Sequence, residues 1–331
     1  MVGCRSTHHQ IRGHTSLVSN FQINVKNKKW IIEDDLSATH AHYLYKTLNS
    51  LAPQLEDKSV FRKHTLSQDG NNEELCQMMP NEIIPLGYSF VYFNPSNDES
   101  ILGVDGYDNH QAPVDPKKTE GSEELFKRRM WVGGHLVFNN ENPLRFNQVA
   151  TCIESVDKIK PAGNSVFVNI DRKFFNSTDM SMRESRTLIY TNDLFDLDKL
   201  KNTATVTSES KKYGTAEHQM TLKLTESFLF RYSALTFNAH KIHYDINYST
   251  QVEKYPSILV QGPLTVTLLL QWFSHISPGS RVLKFSYKNK FPLFVTDSLT
   301  FKCNQVDDNQ FNVWVENDNG VLCCDGKVVV E

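Results

Sequence analysis

The sequence has few of the features that mark metal sites, secreted proteins or membrane proteins. Its six cysteines include no C-x-x-C pair, which argues against a zinc ribbon or a secreted disulfide framework and favours a reducing compartment. The most apolar stretch, 259–273, is interrupted by Gln261, Gly262, Pro263 and Gln271, so it falls short of the ~20 apolar residues of a membrane span. The formal net charge of −3 gives no general case for nucleic acid binding. We expect no metal, no membrane span and no nucleic acid partner.

Acidic residues are absent from the start of the chain, where the first carboxylate belongs to Glu33. The preceding residues are basic and contain serine, and they include no apolar core of a secretory signal. Such a start is typical of organellar transit peptides. We predict a transit segment over residues 1–26, with an ordinary N-terminal tail as the alternative.

A chain of 331 residues with 39% hydrophobic residues suits two domains with substantial cores. The pattern predicts a strand and an amphipathic helix over 30–51, with Ser37 or Thr39 as the N-cap. The aromatic segment 85–93 is predicted to be buried and to line a pocket. Residues 94–125, rich in Asn, Asp, Gly and Pro, are predicted to form a long surface insertion.

The second half of the chain predicts one buried helix followed by several strands. Pro263 stands where a helix tolerates proline, at its first position. The following run to Phe273 is apolar on nearly every face, so other structure should surround it. Period-two patterns then continue from Val282 to Glu331, with Asn319-Gly320 as a two-residue hairpin signal. This order suits an α+β hotdog fold, in which an antiparallel sheet wraps a central helix, and the first half shows a weaker version of it.

The most informative stretch is FRYSALTFNAHKIHYD, which runs from Phe230 to Asp245. Its polar part places one amide, Asn238, and two imidazoles, His240 and His243, close together along the backbone. Imidazole titrates near neutral pH and is the usual proton-transfer group of enzymes. Proton transfer is therefore the expected chemistry.

This stretch, followed by LVQGPL at 259–264, resembles the signature of the MaoC-like (R)-specific enoyl hydratase and dehydratase family. The family pattern is an Asp, four intervening residues and a His, and here Asn238 and His243 hold those two positions. The variant form and the segment MWVGG at 130–134 resemble the fungal mitochondrial type 2 hydroxyacyl-thioester dehydratases more closely. The resemblance implies a double hotdog, with a degenerate first hotdog over 27–170, a connecting segment over 171–221 and a catalytic hotdog over 222–331.

The resemblance also implies roles for individual residues. His243 is the expected base, Asn238 orients the hydroxyl or water, and the backbone N–H of Gly262 receives the charge that develops on the thioester oxygen. His240 and Thr236 are supporting residues. The alternative is a purely structural role for each residue: His243 as a core histidine, His240 as a structural histidine, and Gly262 as a glycine needed only for the turn into the helix.

The implied reaction is dehydration of (3R)-3-hydroxyacyl thioesters on an acyl carrier protein to trans-2-enoyl thioesters, in mitochondrial fatty acid synthesis and without a cofactor. The chain would form a pseudo-dimer by itself, and a homodimer is a further option. The acid-free run RVLKFSYKNK suggests that Arg281, Lys284 and Lys288 bind the phosphates of a pantetheine carrier or an acidic carrier protein, although a solvated strand face would look the same.

Three alternatives belong to other classes. An (R)-specific enoyl-CoA hydratase shares the motif. A hotdog thioesterase usually needs a carboxylate on or beside the central helix, and 264–273 offers none. A non-catalytic acyl-thioester-binding hotdog protein would bind the same ligands but would show no turnover.

Overall fold

The computed structural model describes residues 28–61, 80–113, 125–196 and 210–331. The transit segment predicted over 1–26 lies outside these residues. The described part contains ten strands and three α-helices. The strands are β1 Trp30–Asp34, β2 Arg128–Phe138, β3 Ala150–Ala162, β4 Ser165–Phe175, β5 Met180–Thr191, β6 His218–Lys223, β7 Val282–Asn289, β8 Ser298–Asp307, β9 Gln310–Glu316 and β10 Leu322–Val330. The helices are α1 Ala38–Asn49, α2 Glu226–Leu235 and α3 Gly262–Ile276.

All ten strands belong to one antiparallel sheet, in the order β1-β3-β4-β5-β2-β7-β10-β9-β8-β6. From the outer edge of the sheet to its centre, the strands of the first half follow the order β1, β3, β4, β5, β2. Counted along the chain, these are the first, third, fourth, fifth and second strands of that half. The second half repeats that order from β6 at the opposite edge to β7 at the centre. The halves meet where β2 pairs with β7, from Gly133 opposite Lys288 to Val137 opposite Lys284. This repeated topology confirms the predicted double hotdog and makes the chain a pseudo-dimer.

Helix α3 is the central helix of the second half, and its sequence explains why it is buried. Nine of its residues are buried, including Leu264, Val266 and Leu268 at 0% exposure. Burying one leucine side chain contributes about 1.5–3 kcal/mol, so such a helix is stable only when a sheet surrounds it. Pro263 stands in its first turn, as predicted.

The first half has no equally long central helix among its described residues. After α1, the described residues of this half form short 3₁₀ turns, and the one at Tyr88–Val91 is buried. This turn packs against α3 so closely that a Cβ on Gly87, whose φ is +83°, would lie 2.9 Å from the Cα of Thr267. The hydroxyl of Thr267 donates to the carbonyl of Gly87 at 3.1 Å. The buried aromatic segment predicted over 85–93 is confirmed, and it supplies this contact between the halves.

Three predictions about local structure need correction. The connecting segment is shorter than the predicted 171–221, because that range contains the end of β4, all of β5 and most of β6, which pair within their own halves. The β9–β10 turn holds three residues rather than two, because the N–H of Asn317 donates to the carbonyl of Val321 and Gly320 adopts a φ of +67°. The predicted surface insertion also fails for residues 103–113, where Asp105, Gln111 and Ala112 are buried.

Of the helices in the described ranges, none is both long and apolar enough to cross a membrane.

Candidate active site

The polar signature lies between α2 and α3, in a loop with tightly defined geometry. Thr225 caps the start of α2 by accepting from the amide of Phe228 at 3.2 Å. At the other end, the hydroxyl of Thr236 donates to the carbonyls of Tyr232 and Ser233, at 2.9 and 3.2 Å. Phe237 then adopts a φ of +49°, a conformation that few non-glycine residues adopt. Thr236 therefore supports the site by closing the helix that precedes it.

His243 is the best candidate for a base because one nitrogen is held and the other is left for chemistry. Its Nδ1 lies 2.9 Å from the carbonyl of Leu259, which can only accept, so Nδ1 carries the hydrogen. The lone pair is then on Nε2. Burial, together with the neighbouring His240, lowers the pKa of His243 to about 3. The ring is neutral at physiological pH, as a proton acceptor must be.

Asn238 shapes the loop through its side-chain oxygen. The Oδ1 atom of Asn238 accepts a hydrogen bond from the backbone N–H of His240 at 3.0 Å. The backbone N–H of Asn238 donates to the carbonyl of Ser233 at 2.8 Å. The side chain is half-buried and borders the main cavity. It can present its amide hydrogens to a ligand, but it cannot ionise.

Gly262 begins α3 at a crowded point between the two halves. A Cβ at this position would lie 3.1 Å from Nδ2 of Asn289 and 3.5 Å from Cβ of Trp131. The first amides of a helix have no acceptor within the helix, and they carry the positive end of its dipole. The surroundings of Gly262 therefore leave little room for a side chain, and the anion-receiving role of its amide stays a prediction.

His240 has partners that the sequence did not reveal. Its Nε2 lies 3.2 Å from Oδ2 of Asp105, which also forms an ion pair with Arg129. Its ring contacts Tyr107 edge-on with centroids 5.5 Å apart, and His243 edge-on at 5.4 Å. Asp105 and Tyr107 belong to the segment predicted to be a surface insertion. Functional side chains are common on such loops, but no local pattern distinguished this carboxylate from the others in the segment.

A cavity of about 540 Å³ lies at the junction of the halves. Its apolar wall includes Phe90, Trp131 and Pro263, and Asn238 and Ala239 border it on the side of the signature. His240, His243 and Gly262 are not lining residues, although each is adjacent in sequence to one or more residues that are. The site therefore consists of an open cavity and a buried pair of imidazoles beside it.

The opposite wall of the cavity carries buried charges from the first half. His110 bonds through Nδ1 to Asp108 at 2.6 Å and through Nε2 to Glu154 at 3.1 Å. Burial alone would lower the pKa of His110, but these two hydrogen bonds raise it to about 9. Glu154 also pairs with Arg172 at 2.8 Å. The histidine of this wall is thus an imidazolium, unlike His243.

The three predicted carrier-binding residues lie away from this cavity. Arg281 is paired with Glu141 at 2.7 Å and with Glu331 at 3.0 Å. Lys284 and Lys288 are exposed on β7, and none of the three lines the cavity. Their exposure fits the solvated strand face that was the alternative, and the carrier-binding role stays a prediction.

Comparison with known proteins identifies the family. The model of the family named hydroxyacyl-thioester dehydratase type 2 matches residues 87–295. The mitochondrial hydroxyacyl-thioester dehydratase type 2 of Schizosaccharomyces pombe is 29% identical over 77% of this chain and 87% of its own length. That of Saccharomyces cerevisiae is 28% identical over 74% and 78%. These names confirm the predicted dehydratase activity and mitochondrial location.

A solved structure agrees at the level of the fold. The MaoC-like dehydratase of Phytophthora capsici covers 95% of this chain and 98% of its own, with a TM-score of 0.61 and 11% identity. This neighbour supports the double hotdog, while the family model and the two fungal relatives support the activity. The chain belongs to the hydroxyacyl-thioester dehydratase type 2 family.

Proposed function

We propose that this chain dehydrates (3R)-3-hydroxyacyl thioesters of acyl carrier protein to trans-2-enoyl thioesters, in mitochondrial fatty acid synthesis. The observation that carries the proposal is His243, a buried neutral imidazole whose Nδ1 is fixed on the carbonyl of Leu259, which leaves the lone pair on Nε2. The family membership and the mitochondrial relatives support the substrate class and the location.

In this mechanism one side chain performs both proton transfers: it removes a proton from C2 and then protonates the hydroxyl that leaves C3. Nε2 of His243 takes the proton from C2, and the electron pair forms the C2–C3 double bond while the C3–oxygen bond breaks. The same imidazole then gives its proton to the departing hydroxyl, which leaves as water. Because Asn238 cannot ionise, both proton transfers are assigned to His243.

The thioester oxygen gains negative charge as C2 loses its proton. The amide of Gly262 and the positive end of α3 provide the stabilising partner for that charge. Asn238 and Pro263 border the cavity on the side where these groups meet, so the reacting carbons belong there. The apolar wall formed by Phe90 and Trp131 suits the acyl chain of the thioester substrate.

An ultraviolet assay tests this function by following the loss of the conjugated enoyl thioester on hydration. Trans-2-enoyl groups on acyl carrier protein and on coenzyme A are compared, and the configuration of the product is determined by chiral chromatography. We expect turnover of the carrier-protein substrate and a (3R) product. Absence of turnover with both carriers, or a (3S) product, would overturn the proposal, and faster turnover of the coenzyme A ester would move it to an enoyl-CoA hydratase.

Variants of the same assay test the assigned roles. His243→Ala should lower kcat by about 10²–10⁴-fold, the usual contribution of a positioned acid or base. Asn238→Ala should cost less, because it removes a positioning group and leaves the base in place. His275→Ala is the matched control, since that imidazole pairs with Asp57 and does not line the cavity. Equal rates for His243→Ala and wild type would contradict the mechanism.

A further inference from the structure

The carboxylate nearest to the two imidazoles comes from the first half of the chain. Asp105 is buried, and its Oδ2 lies 3.2 Å from Nε2 of His240. The family pattern has an Asp where this chain has Asn238, whose oxygen is already engaged by the amide of His240. The signature itself therefore supplies no ionised group to the imidazole pair.

The contact between Asp105 and the signature is held by the backbone on both sides. The amide of Lys241 donates to the carbonyl of Asp105 at 2.8 Å, and Nζ of Lys241 donates to the carbonyl of Val104 at 2.7 Å. Gly106 adopts a φ of +81°, and a Cβ there would lie 2.2 Å from the carbonyl oxygen of Ala239. Only glycine allows this approach, so the two segments are fitted to one another.

The charge of Asp105 is stabilised before any substrate binds. Burial opposes ionisation, but the hydrogen bond from His240 and the charge of Arg129 hold the pKa of Asp105 well below its usual range. Arg129 also lies over the ring of Tyr107, 3.9 Å from its centroid, and Tyr107 packs against His240. Asp105 is therefore a carboxylate in a fixed position.

A fixed carboxylate has a defined effect on the imidazole that it contacts. Because a carboxylate only accepts, Nε2 of His240 carries the hydrogen and Nδ1 carries the lone pair. The ring is then held in one tautomer and one orientation, edge-on to His243 at 5.4 Å. We propose that Asp105 is a positioning residue for the proposed dehydration, which fixes His240 against His243 and thereby supplies, from the first half, a carboxylate in place of the one that the family pattern has at position 238.

The first test is kinetic and rests on the proposed function. Asp105→Asn keeps the shape but loses the charge, and it should lower kcat about tenfold to 100-fold, the scale of a misplaced catalytic group, with KM nearly unchanged. Asp171→Asn is the matched control, because it also breaks a carboxylate–guanidinium pair, at 2.6 Å to Arg183, on a strand that does not line the cavity. The proposal fails if the two variants have equal kcat values.

A double-mutant cycle separates positioning from general damage. If Asp105 acts through His240, then Asp105→Asn should cause little further loss in a His240→Asn background. Effects that multiply would show that Asp105 does not act through His240, and would overturn the proposal.

A spectroscopic test is independent of turnover. Nitrogen-15 NMR of ligand-free wild type should show His240 as the Nε2–H tautomer alone, and Asp105→Asn should give a mixture of tautomers. Asp171→Asn should keep the wild-type spectrum. If Asp105→Asn leaves the His240 tautomer unchanged, the inference is contradicted, even when the enzyme is active. If the spectra are as expected but the protein shows no turnover, the positioning of His240 by Asp105 stands and the proposed function fails.

Discussion

The two halves of this chain share one strand order and differ in what that sheet surrounds. The second half encloses the long apolar helix α3, and its residue His243 is neutral. In the first half, the short 3₁₀ turn at Tyr88–Val91 packs against α3, and a group of buried charges surrounds Arg172. The two halves therefore share one sheet topology, while their interiors differ. Under the proposed function, the chemistry belongs to the half with the helix, while the other half supplies Asp105 and the charged side of the cavity wall.

The largest effect on stability is expected at Arg172, which is 1% exposed. Its guanidinium pairs with Glu154 at 2.8 Å and Glu184 at 3.0 Å and donates to the carbonyl of Phe93 at 2.5 Å. Arg172→Met leaves two buried carboxylates without this partner and should lower the free energy of unfolding by about 3–5 kcal/mol. Equilibrium unfolding in denaturant measures this loss of free energy.

The control for that variant is Arg183→Met on the neighbouring strand. Arg183 pairs with Asp171 but its side chain is 48% exposed, so the loss should stay below about 1 kcal/mol. Equal losses for the two arginines would show that the buried charges of the first half are not what holds its interior together.

Opposite pH responses are expected for His110 and His243. His110 has a folded-state pKa of about 9, above the unfolded value of about 6.5. Its contribution to stability is therefore complete below pH 6.5 and is lost as the pH rises towards 9, on the order of 2–3 kcal/mol. His243 has a folded-state pKa of about 3, so the unfolded chain takes up the proton first, and stability falls as the pH drops from 6.5 towards 3.

Unfolding midpoints of His110→Gln, His243→Gln and wild type across this range separate the two responses. His110→Gln should flatten the alkaline side of the wild-type profile, and His243→Gln should flatten the acidic side. Profiles that change on the same side for both variants would contradict the different charge states of the two halves.

The smallest effect is expected at the basic strand face. Lys288→Ala removes an exposed side chain that does not line the cavity, so kcat/KM with carrier-protein substrate should equal the wild-type value within error. A fall of tenfold or more would restore the carrier-binding role first suggested by the sequence.

The sequence was informative where a residue's function depends on its neighbours in the chain. The signature at 230–245 and the apolar run after Pro263 are local patterns, and both predicted the second half well. Part of the predicted connecting segment 171–221 forms strands, but pairing between strands is not visible in composition, so the segment was drawn too long.

Residues that act across the fold could not be identified in this way. Asp105 meets His240 through contacts between segments that are 135 positions apart, and a carboxylate in a polar loop has the same local pattern whether solvated or paired. The same reason hid Arg172 and Glu154, whose charges are buried only because β3 and β4 pair. Conversely, the basic run around Lys288 has a conspicuous pattern, and the structure places it on an exposed strand face away from the cavity.

The central claim is that the half with the long helix performs the chemistry, and a matched pair of histidine variants tests it most directly. Steady-state hydration of trans-2-enoyl carrier protein is measured for His243→Gln, from the second half, and for His110→Gln, from the cavity wall of the first. We predict that kcat falls about 10²–10⁴-fold in His243→Gln, while His110→Gln keeps kcat within about tenfold and raises KM. A kcat that collapses in His110→Gln and survives in His243→Gln would contradict the account.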